Sequence, residues 1–395
     1  MRIIPIYVII FPPWFFILIS PFEHIMNKKA LIAALLGLAG TAAYAQTNVQ
    51  IYGTVDTGYV KETGTDIRMD ENEDNVIGFK GTEDLGGGYK ATFQLEKQFQ
   101  LYDGGYKDSE AFHDALAARL KGEQHIDWLG AANAGIKGDF GHIRLGRVNE
   151  MSVEYFKEID PFEQLSTGSG LSKYNLTRSE QISNTLRYDS PEWSGFSFGA
   201  TYTLGTDTHQ RVENEDGSFS HKRGVRNDGF GASLRYDNDD LFLTANFTRV
   251  ADSCKSWVWN VGGAYSIGDF RVSLGYQKSQ VKDLSDWRLG EEDDFVESTG
   301  INQQEWEIGL AYGFGASTVK FAYNRALMDG NDYLKGGNAN KYALGYTYDL
   351  SKRTQLYGMV SYTDSSNDDV GSIYNNNGVA SDSVTGIQVG IMHNF

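Results

Sequence analysis

The 395-residue chain carries 35 basic and 52 acidic residues, and its formal charge of −17 argues against a nucleic-acid or anionic-membrane-surface partner. Glycine (45), tyrosine (23) and phenylalanine (22) are abundant, whereas proline (6) is scarce, a composition typical of long strands, tight turns and aromatic girdles. Beyond the first 45 residues no apolar run reaches membrane-spanning length, so no transmembrane helix is expected. Cys254 is the single cysteine, which excludes an intramolecular disulfide.

The N-terminal region predicts an export signal. The basic stretch Met26–Lys29 precedes an apolar run over 30–39 of secretory length, and Ala43–Ala45 is an A-x-A cleavage site. We therefore expect a signal peptide over 26–45 and a mature chain that begins at Gln46. Residues 1–25 are apolar but contain four prolines, which fits an upstream extension from a misassigned start codon; a long signal anchor is the alternative.

The mature segment, 46–395, is more acidic than the whole chain. The first 45 residues contain Arg2, Lys28, Lys29 and Glu23. Without them, 32 basic and 51 acidic residues remain, a formal charge of −19. Within it, segments with a period of two recur, as in strands with one apolar face. Sixteen strands are predicted: 49–60, 75–83, 89–99, 128–137, 143–148, 181–188, 196–205, 229–236, 241–250, 256–266, 270–278, 304–312, 318–325, 340–348, 354–362 and 383–395.

The connectors between these strands alternate in length. Tight turns such as Asp84–Gly88 alternate with polar stretches such as 61–74, 149–180 and 363–382. Short turns at one end and long loops at the other indicate an up-and-down outer-membrane barrel, because a soluble sandwich would not sort its connectors by length. The fold class expected is therefore all-β, a sixteen-stranded antiparallel transmembrane barrel.

The alternation also predicts what surrounds the barrel. Alternate residues from Tyr342 to Tyr348 are large and apolar, whereas Ala343, Gly345 and Thr347 occupy the opposite face. A closed sheet pairs all its backbone groups, so the apolar face can point to lipid while the lumen stays wet. A ring of sixteen strands is too wide for side chains to fill, which predicts a water-filled pore.

A set of short motifs carries a family resemblance: Val49–Asp56, Ile77–Gly88, Gly135–Gly141 with Leu145–Arg147, Leu186–Pro191, Ser351–Thr354 with Leu356–Gly358, and Gly390–Phe395. In this order and spacing they resemble the general-diffusion porins of Gram-negative β-proteobacteria, including the neisserial type. The resemblance covers essentially the whole mature chain. It implies a homotrimer in outer-membrane lipid and lipopolysaccharide, a third loop folded into the lumen, and passive diffusion of small hydrophilic solutes and ions. It also implies that Phe395 is the signal read by the barrel assembly machinery.

Two charged sets are candidates for a pore constriction. Strand parity points six basic side chains inward: Lys80, Arg144, Arg187, Arg235, Arg271 and Lys320. The loop 149–180 carries an acidic set: Glu150, Glu154, Glu158, Asp160 and Glu163. Opposite charges facing each other across a narrow gap would set a transverse field that tunes ion selectivity, whereas the alternative for each residue is a solvated lumen side chain.

Three positions depart from the family pattern. Val76, Gly130 and Gln181 stand at or near places where the family commonly has arginine. The basic cluster is therefore thinner than the resemblance alone implies. Together with the −19 charge, this predicts a modest preference for cations.

Other functions leave weaker traces in the sequence. A substrate-specific porin would need an aromatic track along the lumen; Tyr52 and Phe242 face inward by parity, but two residues do not make a track. A closed structural or adhesive barrel would need a plug domain or bulky apolar residues facing inward, and neither is evident. The scattered histidines show no catalytic spacing, so we expect neither an enzyme nor a cofactor. The acidic runs 66–74 and 291–294 lack ordered ligand spacing, which favours a solvated surface over a divalent-cation site.

Overall fold

A computed structural model describes residues 48–105, 128–165, 167–205, 209–213, 219–223, 228–251, 255–282, 300–331, 334–376 and 378–395. Residues 46–395 form one compact unit. The predicted extension 1–25, the signal peptide 26–45, the acidic run 291–294 and Cys254 lie outside the described residues.

Sixteen antiparallel strands, each paired with its neighbour along the chain, build the barrel, as the alternation predicts. They are β1 (Asn48–Glu62), β2 (Val76–Gly86), β3 (Tyr89–Gln98), β4 (Ala132–Gly138), β5 (Gly141–Asn149), β6 (Gln181–Asp189), β7 (Phe196–Thr203), β8 (Gly229–Asp237), β9 (Leu241–Arg249), β10 (Trp257–Ile267), β11 (Phe270–Val281), β12 (Ile301–Phe314), β13 (Ser317–Met328), β14 (Gly337–Ser351), β15 (Thr354–Ser365) and β16 (Ser383–Asn394). Short strands outside the barrel wall are Arg68–Asp70, which pairs with β1, and the hairpin His209–Glu213 with Phe219–Arg223.

The first and last strands close the barrel. β1 pairs with β16 from Thr54 opposite Asn394 to Glu62 opposite Gly386. The C-terminal residue continues this pairing, since Phe395 N donates to the Gly53 carbonyl (3.0 Å) and Gly53 N donates to the Phe395 carbonyl (3.2 Å). The closure leaves no open edge between the two ends of the sheet, which is the condition for a sheet to sit in hydrocarbon.

The two faces of the wall have the chemistry that parity predicts. On β14, Leu344 is 52% exposed on the outer face, whereas Ala343 is 2% exposed on the inner face. Aromatic pairs border the outer apolar band, for example Phe270 with Tyr312 beside the short turns and Tyr276 with Trp306 about midway along the same two strands, on the side of the long loops. An apolar outer band between two aromatic belts is the surface of a barrel embedded in a bilayer.

The connectors also sort as predicted. The seven turns at one end contain two to six residues, and the other end carries the long loops, including L1 (63–75), L3 (150–180) and L8 (366–382). Two helices are described, α1 (Met151–Phe156) in L3 and α2 (Asp368–Tyr374) in L8, together with the 3₁₀ turns Lys157–Ile159 and Leu171–Tyr174. No helix in the described part of the chain is long and apolar enough to cross a membrane.

Charge on the outer face is expected to destabilise the barrel. The variant Leu344→Arg places a guanidinium near the middle of the lipid-facing band, and it should lower the free energy of unfolding in lipid vesicles by about 2–4 kcal/mol. Urea titration followed by tryptophan fluorescence measures this. Thr82→Arg is the matched control, because Thr82 is an exposed inner-face residue that lines a lumen cavity. Equal stability of the two variants would contradict the assignment of the two faces.

Candidate functional site

L3 leaves the barrel wall after β5 and turns into the lumen. The Glu150 side chain caps α1 by accepting a hydrogen bond from Val153 N (3.2 Å). The next turn buries Phe156 and Ile159 against Phe242 and Ala264 of the inner wall. The capping bond and this apolar contact fix the first half of L3 to the wall formed by β8–β11.

Glycines on the inner wall make room for L3. A Cβ atom on Gly275 would lie 2.7 Å from the Phe156 ring, and one on Gly262 would lie 2.9 Å from Ile159. Further along the wall, a Cβ atom on Gly309 would lie 2.5 Å from Pro161, and one on Gly345 would lie 2.5 Å from Phe162. Such distances leave no space for a larger residue, so this strip of glycines sets how closely L3 approaches the wall.

Asp160 organises the tip of L3. Its carboxylate accepts hydrogen bonds from the backbone N–H groups of Phe162 (2.8 Å), Gln164 (3.0 Å) and Gly170 (2.6 Å). Glu163 and Gln164 both have left-handed backbones, with φ of 56° and 57°. This conformation is unfavourable for non-glycine residues, and charge-assisted hydrogen bonds to Asp160 stabilise it. The turn leaves the Glu163 side chain exposed in the lumen.

The predicted acidic set therefore divides in two. Glu150 and Asp160 are buried and their oxygens are committed to hydrogen bonds, so they shape L3 rather than face the gap. Glu154, Glu158 and Glu163 retain exposed or half-exposed side chains. Parity cannot distinguish these cases, because a loop has no regular alternation of faces.

Arg187 is the most buried member of the predicted basic set, at 1% exposure. Its guanidinium pairs with Glu154 of L3, donates to Asp189 Oδ1 (2.7 Å) and donates to the Asn149 carbonyl (2.9 Å). It also donates to the Tyr155 hydroxyl (3.1 Å). Arg187 thus binds L3 directly to the wall, instead of facing it across water as the sequence predicts.

The neighbouring arginines behave similarly but are less buried. Arg144 pairs with Asp189 Oδ2 (2.5 Å), so Asp189 is shared with Arg187. Arg235 pairs with Asp237 (2.6 Å) and, more weakly, with Glu158 of L3 (3.5 Å). Burial raises the pKa of Glu158, and Arg235 opposes that shift. Arg271 donates to the Glu158 carbonyl at 3.4 Å.

The remaining basic residues line two lumen cavities. Lys80 lies over the Tyr52 ring, 4.4 Å from its centroid, and lines a cavity of about 230 Å³ with His142 and Arg144. Lys320 lines a second cavity of about 50 Å³ near Glu163. Among the described residues, no carboxylate lies within ion-pair distance of Lys80, Arg271 or Lys320.

L1 contributes an acidic residue that strand parity does not locate. Asp56, on the inner face of β1, accepts hydrogen bonds from Asn72 N (3.0 Å) and Glu73 N (3.1 Å), so the end of L1 folds into the lumen. Glu73 lines the same cavity as Glu163 and Lys320. Burial raises the pKa of Glu73 to about 7, although Lys157 of L3 opposes the shift. Glu73 belongs to the acidic run 66–74 noted in the sequence. The sequence did not place it in the lumen, because a polar loop is normally expected outside the barrel.

The two aromatic residues predicted to face the lumen, Tyr52 and Phe242, differ in what covers them. Tyr52 faces inward and donates to Glu96 (2.6 Å), but Phe242 is covered by L3. Among the described residues, no group of three or more His, Cys, Asp or Glu side chains is arranged to hold a metal ion.

Gly130 is one of the three positions at or near which the family commonly has arginine. A Cβ on Gly130 would lie 2.6 Å from Glu96, so a larger residue would not fit at this position without a shift.

Comparisons with known proteins agree with this architecture. A family model described as Gram-negative porin matches residues 30–368. An outer membrane porin protein of Bordetella pertussis is 28% identical over 392 residues, covering 85% of this chain and 94% of its own length. The major outer membrane protein P.IB of Neisseria meningitidis is 29% identical over 349 residues, covering 83% and 90%.

Two solved structures support the fold. An anion-selective porin from Comamonas acidovorans aligns with a TM-score of 0.65 at 23% identity, over 89% of this chain and 100% of its own. The trimer form of OmpT from Vibrio cholerae aligns with a TM-score of 0.59 at 14% identity, over 88% and 99%. Since the family model covers most of the sequence and the closed barrel matches solved porins, the chain belongs to the Gram-negative porin family and is a multi-pass β-barrel of the outer membrane.

Proposed function

We propose that this porin forms a water-filled pore for passive diffusion of small hydrophilic solutes and ions, with a modest preference for cations. The family and the fold support a diffusion channel rather than an enzyme. The observation that carries the proposal is L3, held inside a closed barrel by the glycine strip and by Arg187. A loop fixed in this way narrows the lumen without filling it, which is the geometry of a diffusion pore.

The solute path runs between L3 and the wall that L3 does not cover. L3 packs against β8–β14, where Phe156, Pro161 and Phe162 occupy the inner surface. The opposite wall, formed by β1–β5, borders the cavity of about 230 Å³ and carries Lys80 and Arg144 among neutral polar side chains. Water and small polar solutes can form hydrogen bonds along this polar wall, whereas an apolar solute displaces water from the wall without replacing those hydrogen bonds.

The charges at the constriction support a modest cation preference. Arg144, Arg187 and Arg235 are neutralised by carboxylates on the wall and on L3. Glu73 and Glu163 add negative charge beside Lys320. Because the constriction itself is close to neutral, the −19 charge of the mature chain should decide the sign of the selectivity.

An anion preference is the second candidate. Lys80 and Arg144 line one cavity, which is a basic surface beside the solute path. The Comamonas porin that shares the fold is described as anion-selective. The pairing of Arg144 with Asp189 weighs against this candidate, because it removes one of the basic charges from the field acting on a passing ion.

The assembly we propose is a homotrimer in outer-membrane lipid and lipopolysaccharide. Near the closure, Ile51 on β1 and Ile387 and Val389 on β16 are all more than half exposed on the outer face. These apolar side chains could pack against a second barrel, and one structurally similar porin was solved as a trimer. Phe395, which ends the closing strand, is the proposed recognition signal for the barrel assembly machinery.

The selectivity proposal is tested by the reversal potential in a KCl gradient across a planar bilayer. At pH 8, where Glu73 is charged, wild-type channels should favour K⁺, and the double variant Glu73→Gln/Glu163→Gln should reduce the K⁺/Cl⁻ permeability ratio on the order of twofold, because two charges leave the constriction. The control Asp239→Asn makes a charge change at a distant turn and should leave the ratio near wild type. A wild-type potential that favours Cl⁻ would support the second candidate instead.

The raised pKa of Glu73 predicts a pH dependence. This carboxylate is charged above about pH 7 and neutral below it, so cation preference should fall when the pH decreases from 8 to 6. Reversal potentials at both pH values measure the change, and Glu73→Gln should remove most of it. A wild-type pH response that Glu73→Gln leaves intact would assign the titration to another group.

The glycine strip predicts how the pore size responds to added volume. Gly275→Val should push Phe156 and its part of L3 away from the wall and lower the single-channel conductance, since the new side chain overlaps the Phe156 ring. Gly313→Val is the matched control, because the nearest atom to a Cβ there is 4.0 Å away. Unchanged conductance in a folded Gly275→Val channel would show that this contact does not set the pore size.

A further inference from the structure

L8 does not extend away from the barrel into solvent, as a long polar loop normally would. Its helix α2 begins at Asp368, after Asn367, whose side chain accepts a hydrogen bond from Val370 N (3.1 Å). Val370 and Tyr374, which lie on one side of α2, are completely buried. The sequence predicts a solvated outer loop at 363–382, and the structure folds its centre into the mouth of the barrel instead.

The burial is against the returning half of L3. Val370 and Tyr374 belong to one apolar cluster with Leu171 and Leu176 of L3. The rest of this cluster comes from the inner wall of β11–β14: Val281, Ile301, Ala326, Met328 and Ala339. The returning half of L3 is therefore enclosed between the wall and α2.

Two polar residues of β12 bond to both loops. Gln303 accepts from Leu176 N of L3 (2.7 Å) and donates to the Tyr374 hydroxyl of L8 (2.8 Å). Glu305 accepts from Asn175 Nδ2 of L3 (3.1 Å) and from the Tyr374 hydroxyl (3.2 Å). Moving α2 would leave Gln303 and Glu305 each without one partner in a buried site, so the positions of the two loops are energetically linked.

A second link joins the same loops through β1. The Tyr174 hydroxyl of L3 donates to Asn376 Oδ1 (2.8 Å), and Asn376 Nδ2 donates to Glu62 Oε1 (3.0 Å). Glu62 in turn pairs with Arg68 of L1 (2.9 Å). L1, L3 and L8 are thus connected on the inner side of the barrel.

We propose that α2 of L8, through Tyr374, is a positioning element of the constriction. It holds the returning half of L3 on β12–β14 and thereby keeps the L3 tip, with Glu163, at one distance from the opposite wall. This inference rests on the proposed pore function, and it adds a residue outside L3 that sets conductance and selectivity. Tyr374 acts through L3 and does not itself border either lumen cavity described above.

The test compares Tyr374→Phe with wild type in planar bilayers. Loss of the hydroxyl removes the bonds to Gln303 and Glu305, and losing one such bond raises the population of a displaced loop about fivefold. Open-channel current noise and subconductance events should increase, and the reversal potential in a KCl gradient should move toward zero. The matched control Tyr362→Phe makes the same change on the exposed outer face of β15 and should leave both readouts at wild-type values.

A double-mutant cycle separates positioning from general stability. Asn175→Ala removes the L3 side of the Glu305 contact, so its effect on noise should be non-additive with that of Tyr374→Phe. Val370→Ala tests the apolar contact in the same way. The thermal unfolding midpoint of each variant shows whether the barrel itself has changed.

The outcomes are distinct. If wild-type protein forms no channel, the proposed function fails. If wild type conducts and both Tyr374→Phe and Val370→Ala match it in noise and reversal potential, α2 does not position the constriction. Additive effects of Asn175→Ala and Tyr374→Phe would also overturn the proposal, because the two loops would then act independently.

Discussion

The whole architecture depends on the pairing of β1 with β16. In hydrocarbon, an unpaired backbone N–H or C=O group has no water to bond, so a sheet can span the bilayer only when it is closed. The register from Thr54 opposite Asn394 onward, continued by Phe395 and Gly53, provides that closure. Once the wall satisfies its own hydrogen bonds, the apolar face can turn outward and the interior is free to hold water and loops.

Small residues on the inner wall let the loops pack closely inside the barrel. Gly262 and Gly275 let Phe156 and Ile159 lie directly against the wall, and Asp160 folds the tip of L3 with three backbone hydrogen bonds. Charge then completes the attachment, because Arg187 binds Glu154 at a buried position. Removing Glu154 would take one of two carboxylate partners from the buried Arg187 guanidinium, so the pair helps to fix the position of L3 even where its net contribution to stability is small.

This attachment changes the meaning of the basic residues. An arginine committed to Asp189 and Glu154 contributes little net field to the pore, whereas Lys80 and Lys320 contribute directly. L1 and L8 also fold inward. L1 brings Glu73 beside Glu163 and Lys320, and L8 covers the returning half of L3. Three loops therefore fold into the lumen, although the sequence resemblance implies only one.

The sequence by itself determined the barrel. Sixteen strands, their two faces and the order of short and long connectors follow from a period of two and from turn residues, because these are local properties of a chain whose wall is built from neighbours in sequence. Inward orientation of side chains such as Lys80 and Arg187 followed from the same alternation.

Only the tertiary structure decided which charges meet. Glu150 and Asp160 are buried although they lie in the acidic loop, and Glu73 and Tyr374 lie inside although their loops are polar. Loops have no fixed periodicity, and their positions depend on contacts between residues far apart in sequence, such as Tyr374 with Gln303 or Phe156 with Gly275. These contacts exist only after the barrel has closed, so no local pattern records them.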